Sequence, residues 1–88
     1  MRVKQGFVMR TVAGQAVVIA TGEASKSFQG MIRLNETGKV VWQGLTAGLE
    51  LDQIAHQVAA EFSVDADTAM NDVAKFVDDM RHNGFLDE

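Results

Sequence analysis

Between Gly30 and Gly38 the chain reads Gly-Met-Ile-Arg-Leu-Asn-Glu-Thr-Gly, an apolar extended run that passes straight into a helix. Asn35 stands at the junction. Asn is among the best helix N-caps, because its side-chain oxygen accepts a bond from a backbone N–H of the first turn that otherwise has no partner. Val40, Val41, Trp42 and Leu45 follow, enough to bury one side of that helix. A strand running directly into a capped helix commits the fold to a mixed α and β class.

The flanking segments say how the two kinds of structure are divided. Upstream, Phe7–Val12 and Ala16-Val17-Val18-Ile19-Ala20 are β-rich runs. Ala13-Gly14-Gln15 between them reads as a hairpin connection, with glycine supplying the positive φ that such loops need. Residues 21–30 are polar and hold two glycines, which predicts a loop leading to a third strand at residues 31–34. Downstream the period becomes helical. The first helix should run from Glu36 to Gln43 or Leu45 and end in the Gly44 to Gly48 region.

A second helix is predicted over Leu51–Phe62, where Leu51, Ile54, Ala55, Val58 and Phe62 repeat at the three-and-four spacing of a buried stripe. Asp65 should cap the third and longest helix. Within it Ala66, Ala69, Met70, Val73, Phe76, Val77 and Met80 fall in an arc of about 120°. Gly84 stands where a left-handed C-terminal cap is expected, and Phe85 and Leu86 should fold back on the core. The predicted order is therefore β-β-β-α-α-α. That is an α+β fold, a small winged-helix-like domain with a three-stranded antiparallel sheet followed by three helices. At 88 residues the chain is expected to form one domain, residues 1–88.

Charge is divided by position. Residues 1–49 carry six cations against two carboxylates, a net of +4, and residues 50–88 carry two against ten, a net of −8. The third helix holds Asp65, Asp67, Asp72, Asp78 and Asp79 against Lys75 and Arg81, a net of −3. A winged-helix DNA-binding regulator is the alternative function for this outline. It would need a recognition helix that neutralises phosphates, and this one repels them.

Catalysis finds no support either. There is no cysteine, hence neither disulfide nor thiolate metal site. Neither histidine has a nucleophile partner in sequence. The spaced pairs Asp52/His56 and Asp78/His82 are ordinary helix-surface contacts, too few in ligands for zinc. The expectation is a protein that is not an enzyme, with no catalytic residues, no metal and no cofactor. No run reaches the roughly 18 apolar residues of a membrane span, and the N-terminal stretch is broken by Arg10, Thr11, Gly14 and Gln15. A cytoplasmic location, away from any membrane, follows by default.

Peptide binding fits the remaining features. A three-stranded sheet has exposed edges, and an unpaired edge invites another strand. If the third strand is such an edge, Met31, Ile32, Arg33 and Leu34 form its rail, two facing a groove and two the opposite way. Met70, Ala74, Val77 and Arg81 lie on one flank of the third helix and could form the facing wall. The same spacing also suits Met70 and Val77 as core, and Phe76 is read as a core aromatic. Arg33, and with it Arg81, could meet a carboxylate of the peptide. The same edge would permit strand exchange, so both monomer and homodimer are open.

Taken in order, Met31-Ile32-Arg33-Leu34-Asn35, Thr37-Gly38, Val41-Trp42, Gly48 with Leu51 and Ile54, Asp72-Val73 with Phe76-Val77, and Gly84-Phe85-Leu86 resemble the coenzyme PQQ synthesis protein D family over nearly the whole chain. The resemblance implies a winged-helix-like RiPP recognition element, a peptide chaperone that holds the leader of a ribosomally made precursor peptide. Its implied partners are that precursor and a modifying enzyme such as a radical-SAM maturase. Members devoted to PQQ biosynthesis tend to carry Pro-Glu-Arg before the third strand. Here that place reads Phe28-Gln29-Gly30, and the chain has no proline, which points to another precursor peptide.

The −3 third helix predicts that the protein gives no mobility shift with random-sequence duplex DNA at moderate salt. A salt-sensitive shift at micromolar protein would instead favour the regulator.

Overall fold

A computed structural model describes residues 2–27 and 30–87. The elements are β1 (Arg2–Val3), β2 (Phe7–Val12), β3 (Gln15–Ala20), α1 (Ala24–Ser27), β4 (Met31–Arg33), α2 (Glu36–Thr46), α3 (Leu51–Phe62), α4 (Ala66–His82) and β5 (Leu86–Asp87). The strands β2, β3 and β4 form the expected antiparallel sheet in that spatial order, and α2, α3 and α4 follow it. Two additions were not anticipated. A single helical turn, α1, lies in the region read as loop, and β1 pairs with β5 to tie the two ends of the chain together. Two-residue strands carry no period to detect. Phe28 and Gln29, where the Pro-Glu-Arg comparison falls, lie outside the described residues.

The β2–β3 connection is shorter than expected. Val12 pairs with Gln15, so only Ala13 and Gly14 form the turn. Both have positive φ, 52° and 79°, the conformation of a type I′ hairpin turn whose twist matches the strands it joins. The three main helices are closed at both ends by local chemistry. The Asn35 carboxamide oxygen accepts from the Gly38 N–H at 2.7 Å, and the Asp65 carboxylate accepts from the Thr68 N–H at 2.7 Å. These bonds to Thr68 hold the Asp65 carboxyl below the ordinary carboxylate range. Between them, Gln53 reaches back to the Glu50 N–H as half of a capping box. At the far end of α4, Gly84 takes φ +76° while the Phe85 N–H donates to the Met80 carbonyl and the Gly84 N–H to that of Arg81. That pair of bonds turns the chain back sharply.

The reversal delivers Phe85 and Leu86 into the core, as expected, where they are 2% and 8% exposed. The Phe85 ring lies 4.7 Å from that of Phe7 and edge-on to Trp42 at 6.0 Å. Around these sit Val18, Leu34, Val41, Leu45, Ile54, Val58, Val73 and Val77. Gly44 lets α3 approach α2 closely, since a Cβ there would come within 2.7 Å of Ile54. The main core lies against one face of the sheet, while on the other face Val17 of the central strand is buried at 2% exposure. Ala16, Val18, Ile32 and Leu34 belong to the core, whereas Val8, Arg10, Met31 and Arg33 alternate onto the other side.

Ala13 is a non-glycine residue held in left-handed backbone, which costs roughly 1–2 kcal/mol. Replacing it by Asn, the residue that type I′ turns favour, should raise stability by about 0.5–1 kcal/mol and Tm by a few degrees. Thermal unfolding of Ala13→Asn checks this; an unchanged or lower Tm would contradict it.

Candidate functional site

Among the described residues β4 has a partner on one side only, pairing Arg33 with Val17, Ile32 with Val18 and Met31 with Ile19. The phase of its hydrogen bonds follows from its end. The Leu34 N–H donates to the Ala16 carbonyl at 2.9 Å, and in an antiparallel ladder such pairs alternate. Ile32 therefore also points its backbone groups at β3, while Met31 and Arg33 direct theirs to the open side. The Gln15 carboxamide secures the end of the strand, donating from Nε2 to the Leu34 carbonyl at 2.6 Å.

The open edge looks across a groove of about 310 Å³ to α4. Its β4 side is Ile32, Arg33, Leu34 and Asn35, its α4 side Phe76, Asp79, Met80 and Asn83, and its floor Trp42 and Phe85. Buried apolar side chains thus form the bottom, and charged or amide groups form the lips. A second hollow of about 260 Å³ adjoins it over the start of α2, with Asn35, Thr37 and Gly38 on one side and Asp72, Lys75 and Asp79 on the other. Phe76 borders both. The charges on these lips are available to a ligand. Among the described residues Arg33, Asp72, Lys75 and Asp79 have no ion-pair partner, whereas Arg81 pairs with Asp78 at 2.9 Å.

The structure distributes the sequence-predicted site residues unevenly. Ile32, Arg33 and Leu34 do line the groove, with Leu34 buried and Ile32 half-buried. Met31 is 56% exposed on the outer face of the sheet, its backbone on the open edge. On α4 the wall lies two residues along from that expected, a rotation of about 160° onto the other flank of the apolar arc. Val77 is 2% exposed and belongs to the core, and Met70, Ala74 and Arg81 do not line the groove. Phe76 is corrected in the opposite sense, from core aromatic to half-buried wall. The apolar arc has two flanks, and its periodicity does not say which one meets β4. Asp79 and Asn83 were missed, although their four-residue spacing continues a line through Asp72, Lys75 and Phe76.

Two other features compete weakly as sites. Phe7, Val8 and Met9 on β2, the opposite edge of the sheet, face Trp42, Gln43, Thr46 and Ala47 across a hollow of about 370 Å³. Among the described residues no group of three or more His, Cys, Asp or Glu converges, and no helix is long and apolar enough to cross a membrane. In the Asp78/His82 pair, His82 Nδ1 contacts the Asp78 backbone carbonyl, not its carboxylate.

Fold and groove together define a class of small α+β proteins in which an open-edged antiparallel sheet runs into a helical trio. The chain belongs to the family described as Coenzyme PQQ synthesis protein D (PqqD), whose profile matches residues 15–86. Among solved structures it is similar to TbiB1 in complex with the TbiA(beta) leader peptide. The TM-score is 0.80 at 21% identity, over 99% of this chain and 95% of that one. It is also similar to lasso peptide synthetase B1 complexed with the leader peptide, with TM-score 0.77, 20% identity and coverages of 96% and 93%. The search of curated proteins found no match.

The corrected burial makes a stability prediction. Phe85→Ala should cost about 3–5 kcal/mol, as truncation of a fully buried aromatic does. Phe76→Ala, at a half-buried wall, should cost only about 1–2 kcal/mol. Denaturant titrations of the two variants decide it, and equal losses would return Phe76 to the core.

Proposed function

We propose that this chain is a non-catalytic peptide-binding module. It holds the leader of a ribosomally made precursor peptide as an added strand along β4 and presents it to a modifying enzyme. The observation that carries the reading is the β4 edge, where the backbone groups of Met31 and Arg33 point outward beside an apolar-floored groove. Backbone pairing supplies affinity that tolerates sequence, and side chains entering the groove supply choice. Both similar structures are described as leader-peptide complexes, and the family is named for a synthesis pathway, which supports the same reading.

In this proposal the rail is Met31, Ile32, Arg33 and Leu34, and the facing wall is Phe76, Asp79 and Asn83 in place of the flank first expected. The reading takes residues 1–88 as one domain, acting in the cytoplasm where ribosomes release precursor peptides. The precursor is one other than that of pyrroloquinoline quinone, given Phe28-Gln29-Gly30 where dedicated members tend to carry Pro-Glu-Arg.

Two substitutions at one position separate backbone from side chain. Arg33→Ala keeps the outward N–H, and Arg33→Pro removes it without breaking a bond to β3, since a free edge tolerates proline. Binding of synthetic leader peptides, followed by NMR, should perturb residues 31–34 and α4. It should weaken at least tenfold further in Arg33→Pro than in Arg33→Ala, with little change in Tm between them. Equal affinities in the two variants, or shifts confined to hairpin 7–20, would sink the proposed site.

A further inference from the structure

Phe76 borders both the groove beside β4 and the hollow over the start of α2, and what holds its ring there is a missing side chain. A Cβ built on Gly38 would stand 2.6 Å from Phe76 Cε2 and 3.1 Å from Cζ, closer than two such atoms pack. It would also stand 3.1 Å from the capping Asn35 Oδ1. Gly38 lies in the first turn of α2, where glycine is a poor helix former and Ala the best. Its φ is not positive, so no turn geometry requires glycine. The requirement is space for the ring.

We infer that Gly38 acts as the seat of Phe76 and thereby joins the two compartments into one track. The bound segment then does not stop at the end of β4. It crosses the Phe76 ring and places a polar or charged side chain in the second compartment. There Thr37, Asp72 and Lys75 offer a hydroxyl and charges of both signs, and Asp72 and Lys75 have no ion-pair partner among the described residues. Gly38 is a positioning residue, acting through Phe76. A methyl group at Gly38 displaces the ring, and the space beside it is the track itself. This inference rests on β4 being the peptide edge.

The test uses a peptide selected from a random 12-residue display library on the immobilised wild-type chain, kept only if it shifts the amide signals of residues 31–34. Failure to obtain such a peptide overturns the peptide-edge reading and this inference with it. With the peptide in hand, contacts from it to Thr37 and Lys75 in nuclear Overhauser spectra are expected; engagement of β4 without them overturns the extended track alone. Gly38→Ala should bind at least tenfold more weakly while its Tm stays within a few degrees of wild type, the new Ala favouring the helix. In a Phe76→Leu background, where no ring occupies the seat, adding Gly38→Ala should cost less than twofold. An equal loss in both backgrounds, or undiminished binding by Gly38→Ala, overturns the role of Gly38.

Discussion

The junction at Asn35 governs how everything else is placed. Leu34 is buried and still bonded to β3 through its N–H, yet Glu36 is already helical. One residue must therefore end a strand and begin a helix. Asn35 does so with extended backbone, φ −75° and ψ 177°, while its side chain satisfies the N–H of Gly38. With no slack in the connection, the direction of α2 is tied to the direction of β4. Trp42 on α2 then stands at the base of the groove, and α3 and α4 pack around the helix so aimed.

From that constraint follows the division of the sheet into a covered face and an open edge. The aromatic cluster of Phe7, Trp42 and Phe85 closes one side of the core, and two of its members, Trp42 and Phe85, also floor the groove. Core and groove therefore share residues at the bottom of the groove and separate at its lips. Of the lip side chains, Asn35 caps α2 and Asn83 donates to the Asp79 carbonyl, whereas those of Arg33 and Asp79 have no ion-pair partner among the described residues. An exposed strand edge is normally a hazard that proteins blunt. Here β4 is short and ends in an arginine and a cap, which limits what can pair with it.

The acidic bias of the helical half has a plain structural home. Asp65 and Asp67 lie at the positive end of α4, Arg81 and His82 at its negative end, so the helix dipole is complemented at both termini. Asp72 and Asp79 have no such role, and they line the hollows beside α4 instead. The same net charge that argues against a phosphate backbone as ligand thus contains both helix-capping residues and residues that line the hollows. Only their positions tell the two apart.

Much of the fold was determined by the sequence alone, because its signals are local. The span of α3 agrees with the stripe of Leu51, Ile54, Ala55, Val58 and Phe62, and the start of α4 with the Asp65 cap. The return of Phe85 follows from Gly84, since a left-handed residue after a helix reverses the chain whatever lies around it. The strand β4 was legible for the same reason, from an apolar run ending in a cap. What only the tertiary structure decided is long-range. The pairing of β1 with β5 joins residues at opposite ends of the chain and leaves no periodic trace. The rotation of α4 chose Phe76, Asp79 and Asn83 over Met70, Ala74 and Arg81 for the groove, and sent Val77 to the core. A helix reports which residues share a face, but its neighbours decide which face is inward, and on α2 those neighbours include a ring that fits only against glycine.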